Sequence, residues 1–151
     1  MKRSFGFTLV ELLVVIAIIG ILSTMAMVSL VDVKAKARDT KRTADISTLQ
    51  RAIELGFVED RDYTEVLGST CINSGSVIAD CNGSIVNFIS SLDTFHDPNG
   101  DDACVTPAFG CDFAISENAT TPLTYQIGFW LEKGAGELGP GKHYLTQIGL
   151  Q

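Results

Sequence analysis

The sequence predicts an α+β protein: one long N-terminal α-helix packed through its second half on a small antiparallel β-sheet domain. Three observations carry that expectation. A charge-free apolar run occupies residues 12–31. A segment rich in helix formers follows it without proline or glycine as far as Gly56. Two stretches near the C-terminus show strand patterning around a glycine-rich connection.

The apolar run comes first in the chain. The twenty residues from Leu12 to Val31 include no Asp, Glu, Lys or Arg. At ~1.5 Å per residue they span ~30 Å as a helix, the thickness of a bilayer's hydrocarbon core. Lys2 and Arg3 precede the run and a mostly acidic domain follows it. The positive-inside rule then places the N-terminus in the cytoplasm and the C-terminal domain across the membrane. A cleaved secretory signal would have a shorter apolar core and a small-x-small cleavage site; Thr24-Met25-Ala26 is a poor one.

Glu11 stands at the edge of this run. A carboxylate in such a segment is costly unless it is paired. Cleavage after Gly6 would supply a partner, because the new amine of Phe7 is a cation at similar depth.

These residues carry a family resemblance. Gly6-Phe7-Thr8-Leu9-Val10-Glu11 and the run Leu12-Leu13-Val14-Val15-Ile16-Ala17-Ile18-Ile19-Gly20-Ile21-Leu22 resemble the N-terminal signal of type IV pilins and type II secretion pseudopilins. The resemblance implies that prepilin peptidase cuts between Gly6 and Phe7 and methylates the Phe7 amine. It implies that Glu11 of an incoming subunit pairs with Phe7 of a neighbour, in a filament of copies of this chain with minor pilins or pseudopilins. The expected partners are therefore the peptidase, other subunits, membrane lipid and an inner-membrane assembly platform. In one respect the match is incomplete: Val28 stands where many members carry a helix-breaking proline. Gly20 remains as a weak point in the helix.

The helix is expected to continue through residues 32–58. Ile46, Leu49, Ile53 and Phe57 follow a spacing of three, four and four, which marks one apolar face. One helix from Phe7 to Leu55 would be ~75 Å long. Lys36 to Arg42 reads as a solvated face with ion pairs one turn apart, or as a basic patch for acidic lipid. The division expected is leader 1–6, membrane or filament-core helix 7–31, amphipathic helix 32–58 and globular domain 59–151.

In that domain, Glu59 to Ile78 reads as loop and short turns. Ser84 is a candidate cap for a short helix with Ile85, Phe88, Ile89 and Leu92 on one face. Leu123 to Leu131 alternates, with Tyr125, Ile127, Phe129 and Leu131 to one side. His143 to Ile148 is a second strand, and Gly134 to Gly141 is the loop between the two.

Four cysteines, Cys71, Cys81, Cys104 and Cys111, lie in this domain. An even number in a small exported domain points to two disulfides, and Cys71–Cys81 with Cys104–Cys111 closes the shortest loops. The alternative is zinc, whose usual CxxC pairs are not seen here. Asp97, Asn99, Asp101 and Asp102 place oxygens at near-alternate positions, as in the opening of a calcium loop. Major pseudopilins are known for a calcium site in their C-terminal loops, so the resemblance adds to that reading; the alternative is a polar turn.

The chain has 151 residues and a formal net charge of −7. Without Lys2 and Arg3, nine basic residues face eighteen acidic ones, which argues against nucleic-acid binding. His96 and His143 sit in no catalytic motif, and no phosphate loop is present. The expected function is structural rather than enzymatic. By resemblance it is a major-type pseudopilin of a type II secretion system, or a pilin of a type IV pilus or DNA-uptake system. The rival of another class is a membrane-anchored periplasmic binding domain that never polymerises.

Overall fold

A computed structural model of the protein describes residues 6–100, 102–117 and 123–151, apart from the side chains at 26, 28 and 29. The leader residues Met1–Phe5 lie outside the described residues. The chain divides into two compact units, residues 1–35 and 36–151. A single helix, α1 (Leu9–Asp60, 52 residues), contributes to both.

In the first unit every described side chain from Phe7 to Lys34 is exposed. The helix there is long and apolar enough to cross a membrane. Helix geometry runs unbroken through Gly20 and position 28, and nothing lies within 4 Å of where a Gly20 Cβ would sit. The exposed apolar side chains among them lose contact with water when they enter lipid or pack against other chains.

In the second unit the apolar stripe of α1 meets the sheet. Ile46, Leu49 and Ile53 are fully buried in one cluster with Ile127, Phe129, Leu131 and Leu145. Phe57 packs at its edge. The helix runs past Gly56, where the run of helix formers without proline or glycine ends. That glycine is instead a close-packing point: a Cβ there would lie 2.8 Å from Cγ1 of Val66. The helix ends at Asp60, where Arg61 takes a left-handed conformation with φ 59°.

A short helix follows, α2 (Tyr63–Leu67), in a stretch expected to be loop. Asp62 caps it by accepting the Thr64 amide, and Gly68 closes it at φ 83°. Ser84 opens a 3₁₀ turn (Ser84–Asn87) but does not cap it; its hydroxyl donates to Asp60 instead. Ile85, Ile89 and Leu92 are buried and Phe88 packs against them, as the one-face reading required, but through 3₁₀ turns rather than one helix.

Strands β1 (Asp102–Ala103) and β2 (Cys111–Asp112) form a small parallel pair. Strands β3 (Ala114–Ile115), β4 (Gln126–Leu131), β5 (Gly141–Thr146) and β6 (Gly149–Leu150) form an antiparallel sheet in that order. In the β4–β5 hairpin, Ile127 faces Leu145 and Phe129 faces His143. Disulfides join Cys71 to Cys81 and Cys104 to Cys111.

Candidate functional site

Two places concentrate charge where charge is costly. The first is the start of α1. Phe7 is 75% exposed and precedes the helix, and Thr8 is its N-cap. The Glu11 carboxylate turns back and accepts from the Thr8 backbone N–H at 2.8 Å and from its hydroxyl at 2.9 Å. The Thr8 hydroxyl in turn accepts from the Glu11 N–H at 3.3 Å. This is a capping box, in which residues one turn apart satisfy each other's free donors. The carboxylate also favours the positive end of the helix dipole. Thr8-Leu9-Val10-Glu11 carries the sequence signature of that box, which the reading of Glu11 as a pairing residue overlooked.

The arrangement aims the only acidic side chain of residues 6–31 toward the chain's N-terminal end. Gly6 and Phe7 are both exposed at that end, and a Cβ on Gly6 would meet nothing within 4 Å. The Gly6–Phe7 bond is therefore open to approach, and Glu11 lies one turn away from it.

The second place is a buried ion cluster in the 36–151 unit. Arg42, fully buried, donates through Nε and Nη2 to the two oxygens of Asp97, at 2.5 and 2.8 Å. Its Nη1 reaches Asp39 at 2.8 Å and Glu132 at 2.7 Å. Arg38 forks onto Glu132 at 2.7 and 2.6 Å. Asp39, also fully buried, accepts the backbone N–H groups of Glu132, Lys133 and Gly134, and so holds the turn after β4. The Arg38 fork holds the Glu132 carboxyl down at about 2, against the opposing effect of burial and with help from Arg42. Burial alone would lower the Arg42 pKa; its hydrogen bonds to Asp97, Glu132 and Asp39 raise it instead.

This corrects the expectation of a solvated face at residues 36–42 for Asp39 and Arg42, while Lys36, Ala37, Thr40 and Lys41 are exposed. Asp39 and Arg42 continue the apolar stripe of Ile46, Leu49 and Ile53 backward at helical spacing. That register puts them against the domain rather than in water.

The remaining sequence candidates are dispersed. The Asn99 N–H donates to Asp97 at 2.8 Å. With its amide oriented to satisfy both ends, the Asn99 side-chain oxygen accepts from Arg38 Nε at 3.2 Å. Asp102 is exposed at the start of β1, and Asp101 lies outside the described residues. Asp112 accepts the Asp97 and Phe113 amides and faces His96 Nδ1 at 2.5 Å. That contact raises the His96 pKa, against slight burial. His143 lies against backbone oxygens of Gly139 and Gln151, far in role from any catalytic pair.

Residues 1–27 match the family model described as the prokaryotic N-terminal methylation motif. The chain carries a prepilin-type N-terminal segment. Stretches of the chain resemble a fimbrial protein of Pseudomonas aeruginosa, 39% identical over 62 residues, 41% of this chain and 40% of that protein. They also resemble the type II secretion system core protein G of Aeromonas hydrophila, 37% identical over 62 residues (41% and 43% of the two chains). A type IV wide pilus major component of Thermus thermophilus is 38% identical over 64 residues, 42% of this chain and 49% of that protein. The chain thus spans less than half the length of the curated relatives it matches. These names are those of filament and secretion-system components, not of enzymes. No solved structure matches the chain significantly.

Proposed function

We propose that this chain is a structural subunit of a type IV pilus-like filament, of the major pseudopilin type that serves a type II secretion system. One observation carries the proposal. Glu11 is a carboxylate in an otherwise uncharged stretch of membrane length, turned back toward the Gly6–Phe7 bond. Cleavage at that bond by prepilin peptidase leaves an amine on Phe7, which the enzyme then methylates. In low dielectric an amine and a carboxylate attract strongly, and each is costly alone. Pairing Glu11 of one subunit with Phe7 of another sets the axial register of helices whose apolar surfaces specify little by themselves.

On this reading the unassembled subunit crosses the inner membrane once, with its N-terminus in the cytoplasm and the sheet domain outside. An assembly platform in that membrane feeds subunits to the filament. The two disulfides favour a second reading, a pilin of a type IV pilus or DNA-uptake system, because they resemble the disulfide that often closes the C-terminal region of pilus pilins.

Glu11→Ala is expected to abolish filaments, seen by shearing and electron microscopy, while leaving the processed chain in the membrane. Gly6→Leu is expected to leave the full-length precursor. Filaments of normal yield from the Glu11 variant would overturn the pairing of Glu11 with Phe7, whereas a wild type that forms no filaments would leave only a membrane-anchored domain that does not polymerise. Deleting the gene separates the two machines: loss of secreted enzymes with surface pili intact supports the pseudopilin, and the reverse supports the pilin.

A further inference from the structure

The resemblance to major pseudopilins brings with it a calcium site, and the Asp97–Asp102 loop offers the residues for one. The geometry of Asp97 and Asn99 does not fit it. Calcium takes six to eight oxygen ligands at ~2.3–2.6 Å. Both oxygens of Asp97 are already taken by the Arg42 guanidinium, and Oδ1 also accepts the Asn99 amide. The Asn99 oxygen faces Arg38. Among the described residues no three His, Cys, Asp or Glu side chains converge as metal ligands.

What converges instead is a pair of guanidinium groups. Arg42 and Arg38 bring two positive charges to Asp39, Asp97 and Glu132, the same charge that one calcium ion would bring. Arg42 suits the place, because its planar fork meets carboxylates with two parallel hydrogen bonds. Among the described residues no buried side-chain nitrogen or oxygen lacks a partner.

We infer that Arg42, supported by Arg38, is a built-in cation that does for this chain's loops what calcium does elsewhere. It ties two surface segments to α1. One is the loop that begins at Asp97; the other is the turn after β4, held through Glu132 and through Asp39 on the amides of residues 132–134. A side chain cannot be dialysed away, so the order of these segments does not follow the calcium level outside the cell. The inference stands apart from the filament reading, since it concerns only the 36–151 unit.

The test is thermal unfolding of the full-length chain in detergent micelles, in calcium chloride and in EGTA, with isothermal titration of calcium into the chelator-treated protein. The wild type is expected to melt at one midpoint in both media and to give no saturable calcium heat. Arg42→Gln leaves three carboxylates short of a cation, so its midpoint is expected to fall by about 10 °C or more in both media. Arg42→Lys, which keeps the charge and loses the fork, is expected to fall less. A calcium-dependent midpoint or saturable calcium binding in the wild type overturns the inference, and so does an Arg42→Gln protein that melts with the wild type. If Arg42→Gln does not fold, the wild-type measurements and Arg42→Lys still decide.

Discussion

Glu132→Gln removes the charge of one cluster member without changing its size, and its effect can be worked out from the structure. The Glu132 carboxyl ordinarily titrates near 4.5, and the Arg38 fork, helped by Arg42, holds it at about 2. Each pKa unit is worth about 1.4 kcal/mol, so the ionised carboxylate contributes about 3 kcal/mol at neutral pH. The side chain is only 10% exposed, so solvent screens little of this. The folded pKa is depressed, so the contribution is complete above pH 4.5 and fades as pH falls toward 2. Denaturant unfolding of the wild type and the variant across that range measures it. The difference between the two is expected to be about 3 kcal/mol at pH 7 and to close between pH 4.5 and 2. A difference that is constant with pH, or one below about 1 kcal/mol at pH 7, would refute the claim that Glu132 is held ionised by its arginines.

Two further outcomes are expected in the same unit. Gly83 has an ordinary φ of −77°, yet a Cβ there would lie 2.3 Å from the Val66 carbonyl oxygen and 2.4 Å from that of Glu65. Gly83→Ala should therefore cost about 3 kcal/mol or more by forcing backbone apart, measured by denaturant unfolding; a cost below about 0.5 kcal/mol would contradict that contact. His96 should titrate above its usual 6.5 by NMR, and Asp112→Asn should lower it. Its stabilising effect is present below pH 6.5 and lost as pH rises through the elevated pKa; it should be small, because the ring is half exposed.

Much of the fold was legible because it rests on short periodicities. The three-four-four spacing of Ile46, Leu49, Ile53 and Phe57 identified the buried face of α1, and alternation identified β4. Gly56 is a breaker by propensity, and only the approach of Val66 shows why glycine is needed inside this helix. Helix α2 and β3 were missed because five- and two-residue elements carry too little periodicity to stand out. The Thr8–Glu11 box was readable in four residues; the pull of an intermolecular role for Glu11 hid the local one.

The charged cluster was the harder case. Lys36 to Arg42 has the composition of a solvated helix face, and composition does not say which of its charges turn inward. Asp97 lies 55 residues beyond Arg42, and Glu132 lies 90 beyond it. Pairing at those separations exists only once the sheet and the loops have closed on the helix.

The sequence by itself determined that residues 1–27 carry an N-terminal methylation motif. A lone carboxylate beside an apolar run, one turn from a Gly-Phe bond, is a local pattern with a local energetic meaning. Only the tertiary structure decided what becomes of Asp97. Alternating oxygens look alike whether they await a metal ion or an arginine, and the buried guanidinium that meets Asp97 comes from a helix far back in the chain.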